Sequence, residues 1–83
     1  MAKLSARGRT ELFRLEQTTD DEKGGRTTRQ RAYMSDGKVL SRTMVYRPGE
    51  KRMDWGWNVA GEFKRAAADV VIAKRQALGW RML

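Results

Sequence analysis

Residues 26 to 47 read RTTRQRAYMSDGKVLSRTMVYR, five arginines and one lysine in 22 residues, with an Asp-Gly pair at 36 and 37 near the middle. Asp-Gly between two alternating segments is a strong short-range hairpin signal, because glycine accepts the positive φ that a tight turn demands. Strands are therefore predicted over 26–34 and 38–47. Pro48-Gly49 ends the second one, since proline cannot donate to a ladder.

Alternation sorts the side chains of this hairpin into two faces. On the first strand Arg29, Arg31 and Tyr33 share one face, and Thr28, Gln30, Ala32 and Met34 share the other. The register around Ser35–Lys38 decides the second strand. A two-residue Asp36-Gly37 loop sets Arg31 opposite Arg42 and Tyr33 opposite Leu40. Val39, Ser41, Thr43 and Val45 then turn toward a covering helix, while Lys38, Arg42, Met44 and Tyr46 join the basic face. A three-residue Ser-Asp-Gly loop with a glycine bulge exchanges those faces, because a slip of one residue reverses every side chain. The first register is expected here, as it buries no arginine. It places two arginines directly across from each other, a destabilising pair that an external phosphate would relieve.

Upstream, Thr10–Gln17 (TELFRLEQ) has residues of good helix propensity, yet its short length and Phe13/Leu15 alternation favour a strand. The polar run 18–25 closes on two glycines and reads as a loop. Residues 1–9, with Lys3, Arg7 and Arg9, are expected to form a flexible basic N-terminal arm, and 10–83 one domain. Downstream, 50–57 is a second loop. From Asn58 the apolar positions Val59, Phe63, Ala66, Val70, Ala73 and Ala77 step by threes and fours, which predicts one long helix capped by Asn58 and closed by Gly79, with Trp80 after it. The expected fold is α+β, a three-stranded antiparallel sheet with one long C-terminal helix packed on one face, in the order β-β-β-α.

Composition narrows the chemistry. The 83 residues hold no Cys and no His, which removes disulfides, thiolate chemistry, the usual zinc sites and the commonest general base. No nucleotide-binding or nucleophile motif is present, Asp20, Asp21 and Glu22 lack a fourth ligand for a metal, and neither enzyme activity nor a cofactor is expected. No apolar run reaches the ~20 residues of a membrane span, and the start lacks an apolar block after its charges, so a cytoplasmic location is expected. The net charge of +8 concerns partners rather than fold. Residues 26–52 hold eight Lys/Arg and two Asp/Glu, so three-quarters of that excess lies in about a third of the chain.

Arg29, Arg31, Lys38, Arg42, Arg47, Lys51 and Arg52 are the candidate phosphate contacts, since an arginine fork matches phosphate oxygens. Tyr33 and Tyr46 are candidates for stacking on bases. The order of three strands and a helix is similar in architecture to the DNA-binding modules of plant AP2-type factors and the arm-binding domains of tyrosine integrases. That resemblance implies a sheet laid in the major groove, and a two-stranded ribbon is narrow enough to enter one. The expectation is a non-enzymatic nucleic-acid-binding module with duplex DNA as the favoured partner. The rival is a small protein–protein inhibitor or adaptor that docks on an acidic protein or nucleoprotein. Size and lack of Cys give it the character of phage accessory proteins, anti-CRISPR inhibitors among them. Trp55 and Trp57 flank a glycine, and such tryptophans more often cover the open end of a small core. Exposed, they would form a stacking platform or the candidate anchors of that rival interface, and an unpaired sheet edge leaves room for a homodimer.

Overall fold

The computed structural model of the chain describes residues 10–83, so the basic arm 1–9 lies outside the described residues. The chain forms β1 (Glu11–Asp20), β2 (Arg26–Met34), β3 (Lys38–Tyr46), β4 (Met53–Asp54), β5 (Asn58–Glu62), α1 (Ala68–Ala77) and β6 (Arg81–Met82). The strands make one antiparallel sheet in the order β4-β3-β2-β1-β6, with β5 sharing the outer edge of β3. The molecule is a slab of 42 × 30 × 18 Å with two broad faces. No helix among the described residues is long and apolar enough to cross a membrane.

The second and third long strands fall where the sequence predicts them. β1 runs on through residues 18–20 of the expected loop, because these pair with Arg26–Thr28, and the remainder corrects the sequence further. The sheet has six strands rather than three, because the loop 50–57 contributes β4, the expected start of the helix is β5, and Arg81–Met82 after the helix form β6. Residues 58–62 include Gly61, a poor helix former, and they pair with Lys38–Ser41 on an edge that would otherwise lie open. Val59 points out of the fold instead of anchoring a helix, whereas Phe63 enters the core while its N–H reaches the Gly37 carbonyl at 2.8 Å. The helix that remains has ten residues behind a three-residue 3-10 turn at Arg65–Ala67, and none of its side chains is fully buried.

The hairpin adopts the register that was not expected. Tyr33 pairs with Val39, Ala32 with Leu40 and Arg31 with Ser41. The Met34 carbonyl accepts the Gly37 N–H at 3.0 Å, and Gly37 has positive φ, at +89°. This is the three-residue loop with a glycine bulge. Its cause lies in apolar residues on both faces of the same rows. Ala32, Met34 and Leu40 form a cluster on one face that Trp57 covers. Leu15, Tyr33, Val39 and Trp80 form a cluster on the other, closed by Phe13, Phe63 and Val71 of the helix. Each face needs its own cover, so the helix lies over the face expected to be open and Trp57 takes the place foreseen for the helix.

Gly79 closes the helix as the sequence predicts. At φ +94° it donates to the Gln76 carbonyl, and Trp80 donates to the Arg75 carbonyl, both at 3.0 Å. This 6→1 and 5→2 pair turns Trp80 back onto the sheet. Tyr33 stacks on Phe13 at 4.5 Å between centroids and meets the Phe63 edge at 5.0 Å.

Candidate nucleic-acid interface

The single basic face foreseen from the sequence does not exist. Its residues are distributed over three places. Arg29, Arg31 and Tyr33 lie on the helix side of the sheet, and Tyr33, 2% exposed, is core and unavailable for stacking. Lys38, Arg42 and Tyr46 lie on the opposite face, Tyr46 exposed. Arg47, Lys51 and Arg52 stand in the exposed loop at the far end of the sheet.

Carboxylates decide which of these cations can meet an external anion. Among the described residues, ion pairs hold Arg14 to Glu11 (2.6 Å), Arg26 to Asp20 (2.8 Å), Lys38 to Glu62 (2.7 Å), Arg81 to Glu16 (2.7 Å) and Arg42 to Asp54. The last pair is two-pronged, Arg42 Nε donating to Oδ1 at 3.1 Å while Nη2 donates to Oδ2. Lys38 and Arg42, both candidates from the sequence, are thus neutralised within the fold. The Arg81 guanidinium and the Gln30 amide hold the Glu16 carboxyl below its usual range. The Arg42 guanidinium, helped by the Gly56 N–H, holds Asp54 down to about 2.

The loop end is of mixed charge. Arg47 and Lys23 share a depression with Asp21 and Glu50. Arg52 and Tyr46 line a cavity of about 450 Å³ together with the Asp20–Arg26 pair. The Asp21 carboxylate accepts the N–H groups of Lys23 and Gly25, both at 2.8 Å, and so serves its own loop.

The helix side differs. Arg29, Arg31 and Arg75 have no carboxylate partner among the described residues, and they gather around Trp80. Arg31 and Arg75 place their guanidinium carbons 5.8 and 5.5 Å from the Trp80 ring centre, one on the sheet and one on the last helical turn. Arg29 is exposed one row further along β2, between Gln17 of β1 and Thr43 of β3. Arg29, Arg31, Ser41, Thr43 and Trp80 line a shallow depression of about 220 Å³. The short helix leaves this half of the face uncovered.

Each face therefore has a tryptophan flanked by two arginines. Arg14 and Arg42 lie 5.0 and 5.8 Å from the Trp57 ring, but both are tied to carboxylates. Of these two pairs, the arginines at Trp80 have no carboxylate partner among the described residues. Arg75 was missed from the sequence, although the Gly79 stop carries the signal: the residue after C′ packs back on C3, which here is Arg75. Trp55, grouped with Trp57 from the sequence, parts from it. Trp57 is half-buried over its cluster, whereas Trp55 is 56% exposed.

The Asp54 pair gives a test of this distribution of charge. Its carboxyl titrates below the ordinary 3.8, so its contribution is complete above that pH and is lost as pH falls through about 2. The wild-type melting temperature is expected to drop between pH 4 and pH 2 by a component that Asp54→Asn lacks, measured by circular dichroism melts across that range. The substitution lowers the melting temperature at neutral pH.

Comparisons with protein families, with curated proteins and with solved structures find no match to this chain.

Proposed function

We propose that this chain is a non-enzymatic nucleic-acid-binding module whose contact surface is the uncovered half of the helix-side face. The observation that carries the proposal is the convergence of Arg29, Arg31 and Arg75, none bound to a carboxylate among the described residues, beside the hydroxyl-bearing Ser41 and Thr43. Guanidinium forks and hydroxyls are the donors that phosphate oxygens accept from. The net charge of +8 supplies long-range attraction to a polyanion. Fluorescence anisotropy with labelled oligonucleotides tests the proposal. The expected result is affinity whose logarithm falls linearly with the logarithm of salt, with a slope corresponding to about three phosphates or more. Binding that is absent at 0.15 M salt for duplex DNA, single-stranded DNA and RNA alike would refute it.

A second reading, the inhibitor or adaptor that docks on an acidic protein, is favoured by one feature. Met53 and Trp55 stand 48% and 56% exposed at the β4 edge, the kind of apolar anchor that protein interfaces use. A protein that co-purifies with the chain after nuclease treatment and dissociates on Trp55→Ala would support that reading over the first.

A further inference from the structure

We infer that the nucleic acid this face takes is single-stranded, and that Trp55 is the side chain on which one of its bases stacks. The inference rests on the proposed nucleic-acid reading and specifies its substrate. Its basis is the sheet register. Val45 pairs with Met53 and Met44 with Asp54. The ladder continues one step further, where the Trp55 N–H reaches the Thr43 carbonyl at 3.1 Å. Trp55 therefore stands opposite Thr43, and Thr43 stands opposite Arg29. Directly paired residues share a face, so Trp55 and Arg29 project from the same side of the sheet, two strand spacings or about 10 Å apart. Side chains reaching inward from both ends of that interval can hold one nucleotide, its base at the indole and its phosphate at the guanidinium.

The three tryptophans are not equivalent. The rings of Trp57 and Trp80 already have arginines against them. Among the described residues Trp55 has no ring or cation contact, and it is the most exposed of the three. It is also held in place. Asp54 accepts the Gly56 N–H at 2.8 Å while gripping Arg42 with both oxygens, and Gly56 turns the chain at φ +72°. An exposed indole on a fixed turn loses little freedom when a base stacks on it, which is the economy that preorganised sites share. Unneutralised arginines beside an exposed aromatic ring are the combination that binds unpaired strands, since every base has a π-face. A blunt duplex offers phosphates to the arginines and leaves the indole without a partner. The slab is 30 Å across its intermediate dimension, well beyond the ~12 Å width of a major groove.

The test uses the full chain and three probes: a 12-nucleotide oligo(dT), a 12-nucleotide oligo(U) and a blunt DNA hairpin. Affinity and tryptophan fluorescence are followed at 0.15 M salt for wild type, Trp55→Ala and Trp55→Phe. Tighter binding of the single strands than of the hairpin is expected, with fluorescence quenched on binding. Trp55→Ala is expected to weaken the single strands roughly 10- to 100-fold and abolish most of the quenching, while Trp55→Phe keeps most of the affinity and hairpin binding is unchanged. The ranking of oligo(dT) against oligo(U) then separates DNA from RNA. Equal affinity for hairpin and single strands, with Trp55→Ala neutral, would overturn the inference and leave the basic face standing. No binding of any probe by wild type would overturn both.

Discussion

Trp80→Ala is expected to remove about 3–5 kcal/mol of stability, the range seen when a buried aromatic side chain is truncated without collapse of the space it leaves. For a chain of 83 residues the whole stability is of the order of 4–12 kcal/mol. The substitution therefore removes a large share of the protein's stability. Trp80 is 8% exposed and belongs to the cluster of Leu15, Tyr33 and Val39, so the cavity opens beneath the helix. It is also the point where the helix end is fastened to the sheet. Gly79 and Trp80 satisfy the last helical carbonyls, and no helical side chain is fully buried. Two arginines lose their aromatic partner as well. Urea denaturation measures the loss. Trp55→Ala, at an exposed site, should change stability by no more than about 0.5 kcal/mol. Equal effects at the two tryptophans would contradict the assignment of the core.

The second large effect concerns binding. Arg29→Glu with Arg31→Glu is expected to weaken nucleic-acid affinity roughly 15- to 30-fold at 0.15 M salt, taking each lost phosphate contact through the counterion-release slopes of single and double strands. The slope of log affinity against log salt should fall by about 1.4–1.8. Lys51→Glu with Arg52→Glu changes the net charge by the same amount and supplies the control, because these two stand at the mixed-charge loop end. A comparable loss in both double variants would mean that bulk charge governs binding and that no face is special. Arg31→Glu also gives up a cation–π contact of about 0.5–1 kcal/mol, so a melt should accompany the titration.

Three strands, the Pro48-Gly49 stop and the Gly79 helix stop were legible in the sequence because each depends on a local conformational requirement. The Asp36-Gly37 turn was legible as a turn but not in its register. A one-sided sheet favours the two-residue loop, and the sequence does not show that Trp57 covers a second cluster on the opposite face. Periodicity misled at 58–62, where steps of three and four pass through an edge strand and Val59 faces outward. The wish to keep arginines exposed also pointed the wrong way. Arg42 can sit over a buried cluster because Asp54, twelve residues later, neutralises it. Of the candidate site, Arg29 and Arg31 stay together, while Lys38 and Arg42 are spent on ion pairs and Tyr33 on the core. Arg75 and Trp55 join them through a helix cap and a two-residue strand, neither of which alternation within one hairpin can reveal.

The most direct test is a ¹H–¹⁵N NMR titration of arginine Nε–H and tryptophan indole Nε1–H signals with a single-stranded oligonucleotide. The expected result is progressive shifts at Arg29, Arg31, Arg75 and the Trp55 indole, while carboxylate-bound Arg14, Arg26 and Arg42 stay where they are. Shifts confined to Arg47 and Arg52, or no shift at any arginine, would contradict the assignment of the helix-side face as the binding surface.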